Sequence, residues 1–235
     1  MNVLHVANGD LAVTDLQERF PGNSIAVWRE ILAIGPIDGP IANEAFWNLR
    51  EAFIRTTYGA DTSDYRTKVV EEFTRITATG RIRDLRLWFD EDLMCQINQA
   101  FLLYHLRPPY TMGARIHVRC SDSSIELHHE DLAYAARMWR IYAGGDAAEM
   151  ALAVQEDAPP VLLPLREACR LHLGRVTGPD NPVASDVAIL RSYIDQGITS
   201  SYDIMVRFLQ EHPEYGYGDL QIEALLRSIG HPLQG

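Results

Sequence analysis

Cysteine is scarce in this sequence. Only three cysteines occur in 235 residues, and they lie far apart in the chain, at Cys95, Cys120 and Cys169. Structural zinc sites need close-spaced pairs of cysteines, and disulfide frameworks usually have an even number, so neither class of protein is expected. We therefore expect reduced thiols in a cytoplasmic protein, with two or three of them buried.

Basic residues are also in short supply. The chain has 21 Lys and Arg against 32 Asp and Glu, which gives a formal net charge of −11 at pH 7. A molecule of this charge is repelled by phosphate backbones and by anionic membrane surfaces. Nucleic acid is therefore not an expected partner.

Long apolar runs are absent. No segment approaches the roughly 18 uninterrupted apolar residues of a membrane span. The segment 1–6 has neither the basic region nor the apolar stretch of a signal peptide. We therefore expect a soluble cytoplasmic protein without membrane association.

The common nucleotide-binding motifs are missing as well. A glycine follows the first apolar run, at Gly9, but it does not begin a G-x-G-x-x-G motif, and no G-x-x-x-x-G-K-[ST] occurs. These motifs cradle the phosphates of dinucleotides and of nucleoside triphosphates. Neither a dinucleotide-binding nor a P-loop assignment is supported.

Four short apolar runs predict the strands of a small, mainly parallel sheet. Helical segments separate the runs, which lie at 2–7, 24–28, 85–89 and 114–120. Alternating strands and helices are typical of α/β folds with right-handed crossovers. We predict a Rossmann-like α/β domain over 1–125, with flanking helices and a helical insertion at 41–80.

Strand signals end near residue 124, and helical periodicity follows. It predicts a helical middle segment over 126–176, a linker at 177–182 and a trihelical C-terminal unit over 183–235. Three short helices are compatible with a helix-turn-helix, but residues 128–235 contain eight basic and fifteen acidic side chains. Because a DNA-reading unit has a basic face, a docking or lid role is favoured.

Polar side chains follow three of the predicted strands at the point where each strand ends. The carboxyl ends of parallel strands meet at one edge of a sheet, where α/β folds bind their ligands. We call the residues at this edge the strand-end rim. They are Asn8, Gly9, Asp10, Arg29, Glu30, Asp90, Glu91, Asp92 and Gln96.

The carboxylates of the strand-end rim are the predicted catalytic residues. Asp10, Asp90 and Asp92 are expected to hold Mg²⁺ or a proton, and Arg29 is expected to hold an anion. Six further residues are predicted to bind ligand: His5, Asn8, Gly9, Glu30, Glu91 and Gln96.

Each of these assignments has a structural alternative. Asp10 is also a natural turn residue after a glycine. Asp92 is equally a helix cap, a position where a carboxylate stabilises by about 0.3–1 kcal/mol. His5 lies in mid-strand, where a buried neutral histidine is the simpler interpretation.

Two other groups of residues are candidate reactive sites. Cys95 lies in the first turn of a predicted helix, where a thiol pKa can fall, but no histidine is near in sequence to act as its base. His128, His129 and Glu130 form a metal-like cluster, although adjacent histidines point in different directions. Trp139 is predicted to lie in the core.

Three segments in a fixed order, 5–10, 35–36 and 87–98, resemble a bacterial family known only as domain of unknown function eighteen thirty-five. The similarity extends through short motifs to residue 219 and the last helix. Many members of that family carry a histidine where this chain has Glu91, so no chemical role of that histidine carries over to this chain. The resemblance implies the domain layout and the rim, and it implies no reaction.

Two functions of different class are compatible with these observations. In the first, the α/β domain binds a small phosphorylated or nucleotide-like ligand at the strand-end rim, with or without Mg²⁺ as a cofactor, and it can be an enzyme. In the second, the chain is a non-catalytic interaction or regulatory protein. Its acidic helical half then binds a protein partner or a second copy of the chain.

Overall fold

A five-stranded sheet forms the centre of the molecule. The computed structural model describes residues 3–78, 82–120, 123–178 and 185–233. The strand order is β2-β1-β3-β4-β5, with parallel pairing from β2 to β4 and an antiparallel β5 at one edge. The strands are β1 (Val3–Asn8), β2 (Ser24–Trp28), β3 (Asp84–Trp88), β4 (Arg115–Cys120) and β5 (Ser123–Glu126). The predicted mainly parallel sheet is confirmed.

The edge strand β5 was not predicted from the sequence. It has four residues, begins with two serines and pairs with β4 so that Ile125 lies opposite Val118. A strand this short gives almost no periodic signal, and an antiparallel edge on a parallel sheet is common.

Helices of the first half fill the connections between strands. The insertion between β2 and β3 consists of α2 and α3, with a π-helical stretch (Arg66–Glu71) leading into α3. Residues 79–80, where the predicted insertion ends, lie outside the described residues. The helices are α1 (Val13–Arg19), α2 (Glu44–Tyr58), α3 (Glu72–Thr77), α4 (Leu93–His105) and α5 (Arg107–Thr111).

The second half is helical, as predicted. Its last three helices pack against one another and form the C-terminal unit. Residues 179–182 of the predicted linker lie outside the described residues. The helices are α6 (His129–Gly144), α7 (Ala147–Ala153), α8 (Leu163–Thr177), α9 (Asp186–Asp195), α10 (Ser201–Glu211) and α11 (Asp219–Ser228).

The helix α4 lies at the centre of the hydrophobic core. Every residue from Leu93 to Leu103 is buried, because α6 and α8 pack on the helix and Trp28 of β2 stacks on its Phe101. Most of the buried apolar residues form one cluster that includes Trp139, whose place in the core is confirmed. The division into three domains remains a prediction.

None of the helices in the described ranges combines the length and hydropathy that crossing a bilayer requires.

Candidate functional site

The two central strands, β1 and β3, lie side by side and run in the same direction. Val3 lies opposite Asp84, and Ala7 lies opposite Trp88. The prediction that the first and third strands are parallel neighbours is therefore confirmed. The residues that follow both strands lie at the same edge of the sheet. From β1 the chain moves outward to β2 and then crosses back to β3. Connections leave the sheet in opposite directions at such a point, and α/β folds bind ligands in the crevice that results.

At the carboxyl end of β1, the carboxylate of Asp10 is bound by Arg29. The guanidinium donates from Nε and Nη2 to the two carboxylate oxygens, at 2.9 and 2.7 Å. A third donor, Nη1, bonds the carbonyl oxygen of Lys68 at 3.3 Å. The hydrogen bonds from Arg29 hold the pKa of Asp10 below its ordinary value. Asp10 is thus ionised at neutral pH, and Arg29 is engaged with protein groups.

The amide side chains of Asn8 and Asn98 join β1 to α4. Asn8 donates to the sulfur of Cys95 at 3.0 Å, and its own oxygen accepts from Asn98 at 3.0 Å. Asn98 also donates to the carbonyl of Glu30 at 2.7 Å and accepts from the N–H of Leu32 at 3.1 Å. These bonds fix the carboxyl end of β1 against the first turns of α4.

After β3, Asp92 is the N-cap of α4. Its side chain accepts from the N–H of Cys95 at 2.8 Å, so the capping interpretation is confirmed. Burial raises the pKa of this carboxyl. The C-terminal unit covers Asp92 closely: a Cβ on Gly216 would lie 2.0 Å from one carboxylate oxygen.

Asp90 and Glu91 are exposed at the start of this turn. Asp90, Asp92 and Cys95 place potential metal-ligand atoms within 4.8 Å of one another. Within the described ranges, no other group of three or more acidic, histidine or cysteine side chains does so, and the set at 128–130 is not among them. A divalent cation is geometrically compatible with the two carboxylates.

Glu30 does not lie at the strand-end rim, because its side chain turns into the core. Its carboxylate is fully buried and accepts from Arg50 at 2.9 and 3.2 Å, and also from the hydroxyl of Tyr65. Arg50 bonds the carbonyls of Ile34 and Pro36 as well, at 2.8 and 3.1 Å. This cluster stabilises the loop after β2.

Gln96 and His5 are also engaged by the protein. Gln96 is buried and donates to the carbonyl of Asp90 at 2.7 Å. The ring of His5 stacks on Phe20 and accepts at Nδ1 from the indole N–H of Trp88 at 3.0 Å. Burial lowers the pKa of His5, so the neutral form predominates at pH 7. The structure thus gives His5 a core position in mid-strand.

Arg50, Tyr65 and Gly216 were not found by sequence reasoning. Of the three, only Arg50 could have been found from the sequence. It follows Phe46 by four residues and therefore lies on the apolar face of α2, where a charged side chain needs a buried partner. Tyr65 looked like an ordinary core aromatic. Nothing local to Gly216 indicates the contact with Asp92.

The thiol of Cys95 is expected to be unreactive. Burial and then the nearby Asp92 raise its pKa, so the thiol stays protonated at neutral pH. We predict that iodoacetamide at about pH 8 leaves both buried cysteines, Cys95 and Cys169, unmodified in the folded protein. Both should react in denaturant, as peptide mass spectrometry would show; rapid native labelling of Cys95 alone would instead indicate a nucleophile.

No family model, curated protein or solved structure matches the chain. The resemblance to domain of unknown function eighteen thirty-five therefore remains a prediction.

Proposed function

We propose that the protein binds a small phosphorylated or nucleotide-like ligand, together with Mg²⁺, in the crevice between the carboxyl ends of β1 and β3. The observation that carries this proposal is the strand order, β2-β1-β3-β4-β5. The chain leaves β1 toward one side of the sheet, to β2, and leaves β3 toward the other side, to β4. A crevice of this kind is the usual ligand position in open α/β sheets.

The backbone after β1 is suited to the close approach of a phosphate. Gly9 has φ +84°, and no atom lies within 4 Å of the position that a Cβ would occupy. A side chain there would be strained and would fill this space. On the β3 side, the positive end of the α4 dipole points to the same edge, which favours an anion.

The acidic side chains suit the cation that accompanies such a ligand. Mg²⁺ is commonly held by one or two carboxylates and by the phosphates of its ligand. Asp90 and Asp92 supply the carboxylates in this proposal. Asp10 remains paired with Arg29. For Arg29 to bind the anion of the ligand, its hydrogen bonds to Asp10 would have to be replaced by hydrogen bonds to the ligand.

We expect nucleoside phosphates with Mg²⁺ to raise the melting temperature of the wild-type protein. A ligand at a hundred times its Kd stabilises the native state by about 2.7 kcal/mol, or roughly 5–10 °C for a chain of this size. The measurement is a thermal-shift screen of mono-, di- and triphosphates, each with Mg²⁺ and with EDTA. Asp90→Asn should abolish the part of the shift that depends on Mg²⁺.

The matched control for this screen is Glu18→Gln. Glu18 is exposed in the last turn of α1 and does not belong to the strand-end rim. The variant therefore makes the same change in charge as Asp90→Asn at a different exposed position. It should retain the full shift. If no ligand raises the melting temperature of the wild type, the proposal is contradicted. The alternative, that the acidic helical half binds a protein partner, is then favoured.

A further inference from the structure

A cavity of about 550 Å³ lies at the C-terminal end of α4, where α5 and the start of α6 border it. Because α4 has 13 residues and is therefore roughly 20 Å long, the cavity is remote from Asp90 and Asp92 at the other end of the helix. Small-molecule sites commonly have volumes of about 300–1,000 Å³ and aromatic walls with a few polar groups. The walls of this cavity include Tyr104, His105, Arg107, Tyr110, His129 and Leu132.

We propose that this cavity binds a small molecule that carries an aromatic ring and an anionic oxygen group, either a carboxylate or a phosphate. Arg107 pairs with the anionic group, and the ring packs against Tyr104 and Tyr110. The site does not depend on the function proposed for the crevice between β1 and β3.

The charge of the cavity wall favours an anion. Arg107 is exposed, and within the described ranges its guanidinium makes no hydrogen bond and no ion pair. Among the same residues, no acidic side chain lines the cavity, although the whole chain has a net charge of −11. A guanidinium with free donors matches the geometry of carboxylate and phosphate oxygens.

The first turn of α6 adds a polar group to the wall without adding negative charge to it. Glu130 and Asp131 belong to this turn but do not line the cavity. The carboxylate of Asp131 instead accepts from the N–H of His128 at 2.7 Å. His129 does line the cavity, and its ring makes no hydrogen bond to the described part of the chain. The ring is therefore available to a ligand oxygen.

The aromatic wall is suited to a flat ring. The Nδ1 of His105 donates to the carbonyl of Phe101 at 2.9 Å, and its Nε2 accepts from the N–H of Ala42 at 3.3 Å. Burial lowers the pKa of His105, so the imidazole is neutral at pH 7 and acts as an aromatic surface. The ring of Tyr104 lies edge-on to it, with 4.9 Å between the ring centres. Aromatic pairs of this kind favour the binding of a further ring.

The segment that carries Arg107 is rigid before any ligand binds. Pro108 and Pro109 follow it, and each proline ring fixes its own φ. Pro109 is buried, and the N–H of Tyr110 donates to the carbonyl of Leu106 at 3.0 Å. A site that is already ordered loses less conformational entropy on binding than a flexible one.

The test is a titration of the full chain, followed by the backbone amide NMR signals of α5 and of the first turn of α6. The aromatic anions are benzoate and phenyl phosphate. Acetate and inorganic phosphate lack the ring, and benzyl alcohol lacks the charge. We expect at least one aromatic anion to move these signals with a Kd of roughly 1–10 mM, at least tenfold lower than the Kd of the three other probes.

Two variants test the two parts of the site. Arg107→Gln should weaken the binding of the aromatic anion by about tenfold, the loss of a charge-assisted hydrogen bond. The matched control is Arg140→Gln, which makes the same change at an exposed arginine of α6 that does not line the cavity. It should bind like the wild type. Ala133→Trp places a large side chain at an exposed position of the cavity wall and should block binding.

A response to benzoate alone, or to phenyl phosphate alone, supports the site and identifies the class of its anionic group. The proposal is overturned if neither aromatic anion moves the signals, or if acetate, inorganic phosphate or benzyl alcohol binds as tightly. It is also overturned if both arginine variants weaken binding equally, as a general ionic effect would, or if Ala133→Trp leaves binding unchanged.

Discussion

Arg50→Ala is expected to destabilise the protein by about 3–5 kcal/mol, a large part of the 5–15 kcal/mol that usually separates a folded chain from its unfolded state. The side chains of Arg50 and Glu30 are both fully buried. Without the guanidinium, the carboxylate of Glu30 stays in the core with only the Tyr65 hydroxyl and a backbone N–H as donors. The carbonyls of Ile34 and Pro36 lose a donor as well.

Denaturant unfolding followed by circular dichroism measures this effect. The matched control is Arg66→Ala, which removes a partly exposed arginine that is paired with Glu44 and Glu51. Exposed pairs contribute about 0–1 kcal/mol, so the control should remain close to the wild type. The double variant Glu30→Gln with Arg50→Met should recover part of the loss, because no charge is then left buried without its partner. Equal effects of Arg50→Ala and Arg66→Ala would contradict the burial of the pair.

Gly216→Ala is expected to have the second large effect, because two costs coincide at this position. The residue has φ +66°, and an alanine in this left-handed region costs about 1–2 kcal/mol. The added Cβ would also stand 2.0 Å from the carboxylate oxygen of Asp92, so the C-terminal unit or the start of α4 must move. A total loss of about 2–4 kcal/mol is expected from strain and overpacking together.

Two further variants separate these costs. Gly230→Ala has a similar backbone angle, φ +77°, with no atom within 4 Å of the new Cβ, so it measures the strain alone. Asp92→Ala removes the obstructing carboxylate at the cost of the helix cap, about 0.5–2 kcal/mol. In a double-mutant cycle, Gly216→Ala should cost less on the Asp92→Ala background than in the wild type. Strict additivity would show that the two residues do not touch.

The parts of the fold that local chemistry determines were predictable from the sequence. The apolar runs of β1 to β4 identified a buried parallel sheet, whose strands are covered on both faces. Asp92 could be recognised as a cap because an acidic residue directly precedes an apolar helix. The parallel pairing of β1 with β3, which puts the carboxyl ends of both strands at one edge of the sheet, was also predictable.

The rest depends on contacts between residues that are distant in sequence. Glu30 follows β2 just as Arg29 does, yet Arg50, twenty positions later, draws its side chain into the core. Arg29 and Glu30 are adjacent and similar in polarity, so no local pattern distinguishes the residue at the rim from the one in the core. The contact of Gly216 with Asp92 joins two halves of the chain, and the sequence alone does not show how those halves pack.

The complete burial of α4 has a consequence for how this chain can change during evolution. The helix belongs by sequence to the α/β half, but α6 and α8 of the other half enclose it. An α/β half inherited alone would expose that apolar surface to water and tend to aggregate. Gene fusion or recombination near residue 125 would therefore be selected against, and the two halves are expected to be inherited together.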